Sequence, residues 1–153
     1  MSSLLGTGAP FFADTVALFE IAAGVALIVG MFLVRAGHVR LHAYLQSSIV
    51  FVNIPVVLAW MVPSYLKSVL PGLASGISMA SYWVPTLMLI LGATAEALGI
   101  YVILVAGTNW LPERWRFRRY KVWMRTVLGL WWTVLILGLL TYYVWYVSPT
   151  GNL

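Results

Sequence analysis

Four stretches of about twenty residues each, nearly free of charge, leave the chain little choice of fold. They run 15–34, interrupted only by Glu20; 43–62, with Asn53 and Pro55 inside; 82–106, with Glu96 inside; and 126–147, with no charged residue. A bilayer core about 30 Å thick needs about 20 apolar residues in a helix. In lipid every backbone N–H and C=O must pair within the protein, which a helix achieves alone and a sheet only when closed. The alternating pattern at about 10-residue spacing that a membrane barrel requires is missing. The expectation is an all-α, integral membrane four-helix bundle, with residues 1–153 forming one transmembrane domain. Composition agrees: 62% of the chain is hydrophobic and 8% charged, against roughly 45–50% and about 25% in soluble domains. A soluble domain is therefore excluded, and so is a disordered chain, which needs low hydrophobicity and high charge. With no cysteine, disulfides, thiolate metal sites and cysteine nucleophiles are excluded together.

Positive charge sets the orientation. Arg35 and Arg40 lie in the first connection, and Arg114, Arg116, Arg118, Arg119, Lys121 and Arg125 in the third. The ninth basic residue, Lys67, stands alone in the middle connection. The positive-inside rule then places the first and third connections in the cytoplasm and both termini outside it. The start of the chain lacks a basic n-region and its apolar run is too long for a cleavable signal peptide. Trp60, Tyr65, Tyr82 and Trp83 are expected at the outer interface, with Tyr142, Tyr143, Trp145 and Tyr146 beside them. Trp110, Trp115, Tyr120 and Trp123 are expected at the inner one. In the middle connection, 64–70 followed by Pro71-Gly72 reads as a short interfacial helix stopped by proline and glycine.

Glu20, Asn53 and Glu96 are the polar residues hardest to explain inside lipid. Asn53 and Glu96 each fall roughly 15 Å from the inner end of their spans at 1.5 Å per residue, so adjacent antiparallel helices bring them to one depth. Glu20 falls in the outer third of its helix and is expected in a different layer. Intramembrane carboxyls face the bundle interior and often mark ion or proton paths. The plainer reading is a protonated acid that joins helices through a hydrogen bond. Gly92, Ala95 and Gly99 share a face with Glu96, as do Ala17 and Gly24 with Glu20, so both acids should point at neighbouring helices. Pro55 frees the carbonyl of Phe51, an acceptor for Asn53 or Glu96.

His38 and His42, at i and i+4 near the start of the second span, present both rings on one face. No cysteine or carboxylate nearby completes a metal site. A bis-histidine haem between helices needs ligands from two of them, and both histidines share one. His42 with Met31 is the axial pair that remains for a haem cofactor. The plainer role is interfacial bonding to headgroups or loop carbonyls. The third connection interleaves Arg114, Arg116, Arg118, Arg119, Lys121 and Arg125 with Trp115, Phe117, Tyr120 and Trp123. Such a segment attracts anionic lipids, at about 1 kcal/mol per basic residue, or docks an acidic partner. Nucleic acid is not expected at the end of a transmembrane hairpin. No G-x-S-x-G elbow, phosphate loop or H-E-x-x-H motif occurs, so catalysis is not expected.

Gly37-His38-Val39-Arg40-Leu41-His42 opens the second span, and Arg119-Tyr120-Lys121-Val122-Trp123-Met124-Arg125 opens the last, which continues through Trp131-Trp132 to Tyr146. With four spans and this length, the chain resembles, over 35–146, the small prokaryotic membrane family catalogued as domain of unknown function 420. Some members are implicated in maturation of haem–copper oxidases. The resemblance implies a non-enzymatic accessory or assembly subunit of a respiratory or redox complex in the prokaryotic cytoplasmic (inner) membrane. Helix faces and the basic loop would contact the complex's other subunits. Two alternatives stand beside it: a haem- or quinone-binding electron carrier using His38 and His42, and a small oligomeric transporter or proton path using Glu96 and Asn53. The four-helix membrane glutathione transferases also open their second span with Arg and His, but the asparagine and glutamate that follow there are replaced by Gln46-Ser47-Ser48.

Overall fold

The computed structural model describes residues 4–73, 80–108, 112–116 and 119–148. It is an all-α bundle of four long helices, each long and apolar enough to cross a membrane. Helix α1 spans Phe11–Arg35, α2 spans Val39–Leu73, and α3 spans Ala80–Gly107. Helix α4 spans Tyr120–Tyr142 and runs on as a wider turn, Tyr143–Val147. Each helix packs on the next, and α4 closes the ring against α1. One end of the bundle carries the chain termini and the other carries the α1–α2 and α3–α4 connections; these are the termini end and the loop end below.

The helix faces are those of a membrane bundle. On α1 the buried stripe is Ala13, Ala17, Glu20, Ala23, Gly24, Leu27 and Gly30, while Ile21, Val25, Ile28 and Phe32 lie exposed on the opposite side. Lipid is as apolar as leucine, so large side chains lose nothing by facing outward, and small ones let helix backbones approach. The bulkier core residues, Leu27, Ile49, Val50, Val102, Val127 and Trp131, fill the loop half of the bundle. At the loop end α1 stops on Gly37 at φ +85°. The His38 N–H bonds the Leu33 carbonyl and the Gly37 N–H bonds the Val34 carbonyl. Those two bonds form a Schellman cap, which needs the left-handed backbone that glycine adopts without strain.

Helix α2 departs from the sequence expectation. Residues 64–70 are helical, but they continue the second span without a break instead of forming a separate interfacial helix. Pro55 and Pro63 each remove a donor, and each is followed within two residues by a π-helical turn, Val57–Met61 and Tyr65–Val69. In these turns Val62 donates to Val57 and Leu70 to Tyr65, five residues back. The wider turns absorb the prolines without ending the helix. Val69, only 1% exposed, fixes the extension where it packs against α3.

Candidate functional site

Above the loop-side core, the termini half of the bundle holds a cavity of about 510 Å³, lined by all four helices and partly open to the outside. All three π-helical turns among the described residues contribute to its wall: Val57, Leu58, Trp60 and Met61 from the first, Tyr65 and Val69 from the second, Trp145 and Tyr146 from the third. Such turns redirect side chains from the regular helical stripe and recur at functional sites. Met88 and Leu89 on α3 and Val134 and Leu135 on α4 complete most of the apolar lining.

Glu20, Asn53 and Glu96 open on this one cavity. Glu20 does not belong to a separate layer. Helix α1 begins at Phe11, before the apolar run read from the sequence; measured from the loop end, Glu20 and Asn53 both lie about 21–23 Å up their helices at 1.5 Å per residue. Glu20 is 7% exposed and has no hydrogen-bond partner among the described residues. Its carboxyl lies in the notch that Gly138 leaves on α4, where an added methyl would overlap both carboxyl oxygens. Asn53 Nδ2 donates to Glu96 Oε2 at 2.9 Å, so α2 and α3 are joined here as equal depth requires. The other oxygen, Oε1, is buried and without a partner.

One acid was not legible as a site. Asp14, in the first turn of α1, is 0% exposed. Its Oδ2 accepts the N–H groups of Leu4 at 2.6 Å and Leu5 at 3.0 Å, and its Oδ1 accepts the Tyr142 hydroxyl at 2.5 Å. The Thr7 hydroxyl lies 2.7 Å from that of Tyr142. The N-terminal segment is thereby strapped onto the ends of α1 and α4 beside the cavity, on which Tyr142 also opens. The sequence signal was the 3–4 spacing that aligns Asp14 with Ala17, Glu20 and Gly24, although Asp14 lies just outside the apolar run that defines the span.

The histidines lie elsewhere. His42 Nδ1 is 2.8 Å from the Gly30 carbonyl of α1, and His38 is exposed at the cap of α2. Neither lines the cavity, and the pair does not offer a haem two axial ligands from facing helices. No group of three potential metal-ligating side chains converges among the described residues. In the third connection Glu113–Trp115 forms a 3₁₀ turn, and Arg114, Arg116, Arg119, Lys121, Trp123 and Arg125 are exposed. The Arg116 guanidinium reaches the Thr108 carbonyl at 3.4 Å. Arg118, Trp110 and Phe117 fall outside the described residues. No family model, curated protein or solved structure matches the chain.

Proposed function

We propose that the protein is a non-enzymatic, membrane-embedded binding protein that holds a small, largely apolar molecule within its bundle. The observation that carries this reading is the cavity itself: about 510 Å³, apolar over most of its wall, with a few polar groups converging on it. Ligand sites commonly have about 300–1,000 Å³ and that kind of lining. This is closer to the carrier and transporter alternatives than to a purely structural subunit, and it moves the site from the histidines to Glu20, Asn53 and Glu96. An accessory role in a larger redox complex is compatible with it as a second reading, supported by the exposed cations Arg114, Arg119, Lys121 and Arg125 at the loop end.

The test fills the cavity. A Cβ added at Gly92 meets Val134 at an ordinary 3.6 Å, so Gly92→Leu is accepted by the backbone while its longer side chain occupies the void. Wild-type protein in nanodiscs is expected to bind a compact aryl probe, triphenylethane or methyltriphenylphosphonium, saturably, and Gly92→Leu to lose that binding. Undiminished binding by the filled variant, or no saturable binding of either probe by the wild type, overturns the reading.

A further inference from the structure

We infer that the ligand of this cavity is a lipophilic organic cation, held against its aromatic rings and neutralised by Glu20 and Glu96. The inference rests on the reading of the cavity as a binding site and specifies its ligand. Two carboxyls face the space from opposite sides of the ring of helices, Glu20 from α1 and Glu96 from α3. Glu20 is more than nine-tenths buried and unpartnered among the described residues, and Glu96 has one oxygen paired to Asn53 and one with no partner. No lysine, arginine or histidine lines the cavity among the described residues. A carboxylate has no protein cation to pair with in this space, so ionisation there is costly, and a cation entering the cavity would supply the partner that lets a carboxyl ionise.

The rest of the wall selects the kind of cation. Trp60, Tyr65, Trp131, Tyr142, Trp145 and Tyr146 all line the same space, and the faces of such rings attract a desolvated cation. Calcium or magnesium would need six or more oxygens, and no group of three metal-ligating side chains converges among the described residues; here the carboxyls stand among carbon and rings in a volume far larger than one ion. An anion would meet two carboxyls and no donor charge. A neutral molecule would fill the void and leave the acids as they are. A cation spread over an apolar frame satisfies rings and carboxyls together.

The experiment compares methyltriphenylphosphonium with triphenylethane, its uncharged carbon isostere, on the full-length protein in nanodiscs. The cation is expected to bind about tenfold or more tighter, the scale of one desolvated cation–π contact. Glu20→Gln and Glu96→Gln should each reduce that preference, and the double variant should reduce it to what the rings alone supply, with triphenylethane binding unchanged as the control for folding. Equal affinities in the wild type, or a preference undiminished in the double variant, overturn the cation assignment and leave the cavity reading standing. Saturable binding of neither probe overturns both.

Discussion

At the residue scale, Asn53 and Glu96 separate a hydrogen bond from a charge. Glutamine at position 96 keeps an oxygen for the Asn53 amide, which donates at 2.9 Å, whereas leucine strands that half-buried donor. Glu96→Gln is therefore expected to melt within error of the wild type in detergent. Glu96→Leu should be destabilised by about 1–3 kcal/mol, the cost of an orphaned polar group. Equal melting of the two variants would show that the Asn53 contact contributes nothing to folding. This pairing was readable from the sequence because helix rise converts residue number into depth. The Glu20 contact was not, since depth says nothing about rotation between α1 and α4, and only packing sets Gly138 opposite the acid. The strap on Asp14 was less legible still, because its donors are backbone groups of a segment with no periodicity.

At the scale of elements, the α1–α4 seam depends on that notch. Replacing Gly138 with alanine pushes a methyl into the Glu20 carboxyl, and overpacking of this sort costs about 1–3 kcal/mol. Contacting residues are non-additive. Gly138→Ala should be costly in the wild type and nearly free in a Glu20→Ala background, measured as a double-mutant cycle of thermal or denaturant stability in micelles. Additive effects would place the carboxyl away from the seam. The existence and approximate limits of all four helices followed from hydropathy, because lipid enforces helical backbone pairing over a fixed length. The unbroken run of α2 through Pro63 to Leu73 did not, because proline reads as a stop wherever α-helical pairing is assumed, and a π-helical turn relaxes that assumption.

At the scale of the whole molecule, the basic loop end should face the cytoplasm and the termini the opposite side. The chain has no cysteine, so single introduced thiols report sidedness cleanly. Leu4, 55% exposed, and Arg116 mark the two ends. An impermeant maleimide applied to intact cells should label Leu4→Cys and spare Arg116→Cys; the reverse pattern would invert the topology. The two ends also differ in time. Ribosomes deliver α1 first and α4 last, and Asp14 and its hydroxyl donor Tyr142 stand 128 residues apart. Until the last helix is made, the first carries an acid that lacks this donor, and its Glu20 lacks the glycine notch that receives it in the folded chain. Only a chain translated through Tyr142 can shelter both acids, so a stalled or shortened product is chemically distinguishable from a finished one.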